Sequence, residues 1–251
     1  MHKKLIINAD DAGVCESVTR GICEGIDKGV ITSTTVLIGL ISSDDIHLLQ
    51  QRQEKVSIGL HLSLTTGPAQ CPALMKKQGL LRGASFSGPI PWDLLEVSAI
   101  VAEWDAQVVA FKQSFGCLPT HIDTHHHVHR NAKGFKAIVS LAKRYTIPFR
   151  RRYAHGRTST GEEGRVVDQL VYRFNPKDAW TARKLIRFLK NMRQGVSELI
   201  VHPGYVSPRL LKVSSFTDAR ETELNALTSP YFFEIVREEN IRLTDYRMFK
   251  R

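Results

Sequence analysis

The chain has 251 residues, 42% hydrophobic and 24% charged, a composition that can bury a full core and excludes disordered or collagen-like polymers. No window approaches the ~18 apolar residues of a membrane span, and Leu5-Ile6-Ile7 runs into Asn8-Ala9-Asp10-Asp11 before a signal-peptide core can form; a cytoplasmic protein without a transmembrane segment is expected. The net charge of +10 comes with no recognisable nucleic-acid-binding signature, so a solvated basic surface is expected and no nucleic-acid partner.

The first apolar run, Leu5-Ile6-Ile7, is a short buried strand ending at the paired aspartates. Helical spacing of Val18, Ile22 and Ile26 follows over 17–28 and stops at Gly29. Thr34-Thr35-Val36-Leu37-Ile38 is a second strand, 44–53 a second helix, and Val56-Ser57-Ile58-Gly59-Leu60-His61-Leu62 a third strand. Residues 65–92 are rich in Gly and Pro and read as a long loop. Over 93–115, Leu94, Val97, Val101, Trp104, Val108, Phe111 and Phe115 form one apolar helical stripe.

A fourth strand covers 121–124, a helix 132–144, and a fifth strand Phe149-Arg150-Arg151, followed by a polar stretch over 154–165. The rest reads as a helix over 179–193, a strand Glu198-Leu199-Ile200-Val201-His202, helices over 217–227 and 231–239, and a last strand, Ile241-Arg242-Leu243-Thr244. Repeated βα units with short turns imply a parallel sheet. Closure into a barrel explains why polar residues recur where strands end, since barrel sites lie at the C-terminal ends of strands. The expectation is one α/β domain covering residues 1–251. The cysteines (Cys15, Cys23, Cys71, Cys117) form no CxxC pair and read as reduced structural thiols.

Chemistry concentrates in His121-Ile122-Asp123-Thr124-His125-His126-His127-Val128-His129, which holds five of ten histidines. On a strand, alternate residues share a face, so His121, Asp123, His125, His127 and His129 would point together, as a metal site requires. His125 sits where the strand should run out and is the better ligand candidate; an i, i+4 pair of His125 and His129 on a helix is the alternative. Adjacent Asp10 and Asp11 repel, so one needs a cation while the other can take a proton; capping the next helix is the simpler role. His61, in an apolar strand, gains weight from these partners. His202, before Pro203-Gly204, can act as an acid or polarise a carbonyl. Arg150 can orient a carboxylate, and Asp123, His127 and His129 suit contacts behind the ligands or to substrate. No nucleotide-binding fingerprint or nucleophile elbow appears.

Five segments together resemble the YdjC-like carbohydrate deacetylases: Leu5-Ile6-Ile7-Asn8-Ala9-Asp10-Asp11-Ala12-Gly13, Thr32-Ser33-Thr34-Thr35, Ile58-Gly59-Leu60-His61-Leu62-Ser63-Leu64-Thr65, the His121–His129 stretch with Pro119-Thr120 before it, and Val201-His202-Pro203-Gly204-Tyr205. The resemblance implies a distorted (β/α) barrel related to the polysaccharide deacetylases. It implies one divalent metal on Asp11, His61 and His125, with Asp10 as base and His202 as acid. Mg²⁺ or Zn²⁺ is expected first, with Mn²⁺, Co²⁺ or Ni²⁺ also fitting. The implied substrate is an N-acetylated amino sugar such as a chito-oligosaccharide, or a glycolipid, and a homodimer is in keeping with the family. One departure is Ala12, where the family commonly has an aromatic, which reshapes the pocket beside the metal. Two other readings stay open: an amidohydrolase acting on a non-sugar amide, and a catalytically silent glycan-binding homologue.

Overall fold

A computed structural model describes residues 2–83, 85, 86, 88–150, 153, 154, 157, 158, 167–173 and 175–249. Its centre is a seven-stranded sheet of parallel strands: β1 (Lys3–Ala12), β2 (Ser33–Val36), β3 (Ser57–Leu62), β4 (Ile122–Thr124), β5 (Gln169–Val171), β6 (Gly195–Val201) and β7 (Arg242–Leu243). The spatial order is β4-β3-β2-β1-β6-β5, with β7 paired to the start of β1. Beyond β4 a single parallel bridge joins Ile122 to Phe149. Among the described residues the expected fifth strand is represented by this bridge, and Arg151 lies outside them.

Alternation along β1 sets the two faces. Leu5, Ile7 and Ala9 join the large core under the helices, whereas Ile6 packs with Val167 and Tyr246 inside the sheet's curve. Asn8 and Asp10 share the parity of Ile6, so the interior grades from an apolar plug to a polar floor at the strands' C-terminal ends. The curl is steep. Arg150, next to the bridge at Phe149, reaches Asp10 on β1 at 2.7 Å. Four strand spacings separate them, roughly 19 Å along a flat sheet, beyond the reach of an arginine side chain. The sheet is thus a distorted, curled (β/α) barrel.

The helices on the outside are α1 (Glu16–Asp27), α2 (Ser43–Gln50), α3 (Pro72–Lys77), α4 (Val97–Phe115), α5 (Ala132–Tyr145), α6 (Ala182–Lys190), α7 (Pro208–Val213), α8 (Asp218–Leu227) and α9 (Pro230–Glu238). The loop expected over 65–92 contains α3 and a hairpin pairing Leu81 with Phe86; its Gly and Pro punctuate short elements instead of excluding them. Helix α4 starts at Val97, and Leu94 is exposed outside it, so the apolar stripe is shorter than its sequence suggests. Strand β5 and helix α7 carry too few residues to show a period in sequence. All four cysteines are free, as expected.

Candidate metal and catalytic site

The candidate site lies over the C-terminal ends of β1, β3, β4 and β6. In a regular strand Asp10 and Asp11 would face opposite sides. Here the β1–β2 register slips by one residue between Ala9 and Ala12, and Asp11 takes φ 72°. This is a bulge, a device that re-aims side chains near active sites. Both carboxylates therefore line one cleft of about 430 Å³. Neither caps the following helix, whose N-cap is Cys15.

The two carboxylates meet different partners. Asp11 Oδ1 lies 3.1 Å from His125 Nδ1 and 3.4 Å from His61 Nε2. One atom from each of these three residues falls within 4.8 Å of the others. An oxygen and two imidazole nitrogens so placed make a donor set that fits a small divalent cation. Asp123 Oδ1 holds His61 Nδ1 at 2.6 Å, fixing the ring so that Nε2 turns to Asp11, the usual support behind a ligating histidine. Burial disfavours a charge on His61, but Asp123 and Asp11 outweigh it and raise its pKa to about 10. A field that favours an imidazolium so strongly also favours a metal cation.

Asp10 belongs to another network. Arg150 donates to both its oxygens at 2.7 Å, and Asn8 Nδ2 donates to Oδ1 at 2.8 Å. The same guanidinium reaches Asp123 Oδ2 at 2.8 Å and Glu198 Oε1 at 2.9 Å. Burial raises the Asp10 pKa, yet the adjacent Arg150 charge holds it well below the usual carboxylate range. Asp11 is also held low, by Arg220 and the two histidines working against burial. Glu198 goes the other way: burial lifts it to about 6 despite Arg150 and the Tyr246 hydroxyl, which donates at 2.6 Å.

The histidine run divides where β4 ends. His121 and Asp123 share the interior face, and His121 stacks on Tyr246 with ring centroids 3.7 Å apart. From His125 to Arg130 the chain is a 3₁₀ turn in which His126 and His127 both take φ 51°. The common face expected for all five alternating residues therefore does not extend past Asp123, and the helical His125/His129 pair does not form. His125, His126 and His127 line the cleft. His129 is buried away from it, its Nδ1 2.5 Å from Thr124 Oγ1. The left-handed pair costs on the order of 1–3 kcal/mol per residue, strain that concentrates at functional sites.

His202 follows β6 directly and lines the same cleft as His61. Its backbone N–H donates to Glu223 Oε2 at 2.7 Å, and its ring lies 4.9 Å from that of Phe216. Burial, partly offset by Asp11 and Asp10, pushes its imidazole down to about 4. Four participants escaped the sequence reading: Glu198, Phe216, Arg220 and Glu223. Glu198 left a usable trace, an acid inside an apolar strand and in phase with His202. Arg220 left none, because it sits among the mixed charges of α8.

A family model for YdjC-like protein matches residues 4–238. A carbohydrate deacetylase from Clostridium beijerinckii is 31% identical over 252 residues, covering 97% of this chain and 99% of that one. A crystal structure from Enterococcus faecalis V583, described as a candidate cellobiose-phosphate cleavage protein, superposes with TM-score 0.91 at 31% identity, covering 99% of both chains. A family 4 acetyl xylan esterase from Clostridium thermocellum, solved with a cobalt ion, shares the fold alone, with TM-score 0.56 at 9% identity, covering 98% of this chain and 90% of that one. With the match running from the first strand through α9, the chain belongs to the YdjC-like family.

Proposed function

We propose that this chain is a metal-dependent hydrolase that removes the acetyl group from an N-acetylated amino sugar. One observation carries the reading: two adjacent carboxylates are treated oppositely on the wall of one cleft. Asp11 turns Oδ1 toward His61 and His125, while Asp10 is held apart by Arg150. The names of the family relatives support the same reading.

A divalent ion on Asp11, His61 and His125 would polarise the acetyl carbonyl and acidify a water molecule. Zn²⁺, Co²⁺ or Ni²⁺ suits two imidazoles and one carboxylate, and Mg²⁺ or Mn²⁺ fits with added waters. Asp10 takes the proton of the attacking water as its oxygen bonds to the acetyl carbon. Arg150 keeps Asp10 ionised and aimed, so the proton it accepts is held weakly. His202 rests neutral on the same cleft and relays that proton toward the leaving group. The proton then reaches the amide nitrogen as the C–N bond breaks, leaving acetate and the amino sugar. Each positioned proton transfer is worth ~10²–10⁴-fold. Hydroxyls of Thr65, Thr66, Ser214 and Ser215, beside Val213 and Phe216, match the mixed polar and apolar faces of a sugar.

The description of the Enterococcus protein suggests a glycosidic bond instead. Glycosidases use one carboxylic acid with a raised pKa beside one carboxylate. Asp10 and Asp11 are both lowered, which favours amide hydrolysis. The test is a screen of the metal-reconstituted protein against chito-oligosaccharides, other N-acetylated saccharides, glycolipids, simple acyl amides and cellobiose phosphate, reading acetate and reducing ends. Acetate from the N-acetylated sugars is expected. New reducing ends from cellobiose phosphate with no acetate from any amide would overturn the reading.

A further inference from the structure

Arg220, near the start of α8, is buried, and its guanidinium is shared between two groups that belong to the cleft. Nη2 donates to Asp11 Oδ2 at 2.7 Å, and Nε donates to the Phe216 carbonyl at 2.8 Å. The side chain also stacks on the Phe216 ring, 5.6 Å from its centroid, and its Cδ packs near Gly204. Asp11 thus has one oxygen occupied by a cation of the protein itself. The other, Oδ1, is the oxygen that faces both His61 Nε2 and His125 Nδ1.

We infer that Arg220 is a positioning residue that restricts Asp11 to donating a single oxygen to the metal. The inference rests on the metal-hydrolase reading and goes beyond it, because it concerns how Asp11 binds and not whether it does. Three features support it. A carboxylate can bind a cation through one oxygen or both, and here Oδ2 is already taken by a charge-assisted hydrogen bond, the stronger kind. The bulge at Asp11, with positive φ, turns its carboxylate so that Oδ1 faces the histidines and Oδ2 faces Arg220. Arg220 is itself pinned at Nε, so it cannot follow Asp11 if the carboxylate rotates. The clamp leaves room around the ion for water and the acetyl oxygen, which a chelating Asp11 would crowd.

The test uses the full chain with its metal replaced by Co²⁺, whose visible absorption weakens as its coordination number rises. In Arg220→Met, which has no donor, freed Oδ2 should join the ion and the cobalt bands should fall by half or more. Arg220→Lys, which can still donate to Oδ2, should keep the wild-type spectrum. A wild-type spectrum in Arg220→Met, with His125→Ala emptied of cobalt, overturns the inference and leaves the metal site standing. Wild-type protein that takes up no Co²⁺, or His125→Ala that takes up as much, overturns the metal site and the inference together. Should Arg220→Met fail to fold, a crystal structure of cobalt-loaded wild-type protein decides. Asp11 bound through Oδ1 alone with Arg220 on Oδ2 is expected; Asp11 bound through both oxygens overturns the inference.

Discussion

Arg150 grips Asp10 through two parallel N–H donors, each 2.7 Å from its oxygen, and both side chains are buried. Asp11, the next residue, is turned away from this grip by the bulge in β1 and faces two histidines. The division predicts separable losses. Asp10→Asn should lower acetate release by about 10²–10⁴-fold, the usual worth of a positioned base, while metal content stays at the wild-type level. Elemental analysis alongside the turnover assay checks both halves. An Asp10→Asn protein that has lost its metal would mean that the two aspartates exchange roles.

The same arginine holds Asp123 and Glu198. Arg150→Met would leave these carboxylates and Asp10 buried without their shared cation. Breaking a buried pair from one side costs about 3–5 kcal/mol, so a fall in Tm of roughly 6–20 °C is expected for a chain of this size. Adding Glu198→Gln to that variant should recover part of the loss, because it removes one of the stranded charges. A melting temperature unchanged in Arg150→Met would refute the account.

His125 offers the sharpest test of the donor cluster. It contributes no strand pairing, and it is joined to Asp11 through Nδ1 at 3.1 Å. His125→Ala should lose the metal and, with it, turnover. His129→Ala, altered on the far side of the same turn, should keep the metal. Full occupancy in His125→Ala, measured after dialysis against a chelator, would remove His125 from the ligand set.

How far the site is legible in the sequence depends on how each residue is held. Asp10, Asp11, His61, His125 and His202 sit at strand ends, and apolar runs mark strand ends clearly, so their convergence follows from the βα rhythm. The alternation from His121 to His129 misleads, because strand β4 stops at Thr124. Two left-handed residues then turn the chain where no Gly or Pro marks the change. The bulge that brings the aspartates together is equally silent in sequence. Arg220 and Glu223 are invisible for another reason: they act from a helix packed over the cleft, and helix periodicity says which face is buried but not which strand end it meets.

Glu223 should give the protein a pH-dependent stability of unusual sign. Burial raises its pKa from 4.5 to about 7, although the backbone N–H groups of His202 and Trp180 and the charge of Arg220 pull it down. Between those two values the folded state keeps a proton that the unfolded chain has released. Stability therefore falls as the pH rises through that window, by roughly 3 kcal/mol over its full width. Glu198, raised to about 6, adds a slope of the same sign. Urea unfolding at a series of pH values between 5 and 8 should show wild-type protein losing stability relative to Glu223→Gln as the pH rises; the depressed His202, whose contribution rises with pH, is common to both proteins and drops out of the difference. Equal slopes in the two proteins would show that Glu223 titrates normally.

The last prediction concerns how His202 is placed. Helix α1 packs on the segment after β6 with almost no clearance: a Cβ built on Gly21 would lie 2.6 Å from Gly204 Cα and 3.1 Å from its N and C atoms. Those atoms are backbone and cannot swing aside. Gly25, one turn later, would instead meet side-chain atoms of Ile31, Cδ1 at 2.3 Å and Cγ1 at 2.8 Å, which can rotate away where backbone cannot. Alanine gains up to about 1 kcal/mol over glycine inside a helix, whereas forced overpacking costs about 1–3 kcal/mol. Gly21→Ala should therefore destabilise the protein. It should also lower turnover with the metal retained, since relief requires moving the segment that begins at His202. Gly25→Ala should leave turnover near wild type, because Ile31 can repack and the strain does not reach the cleft. Thermal unfolding, metal content and acetate release distinguish the two. A Gly21→Ala protein as stable and as active as wild type would show that the contact does not set the position of His202.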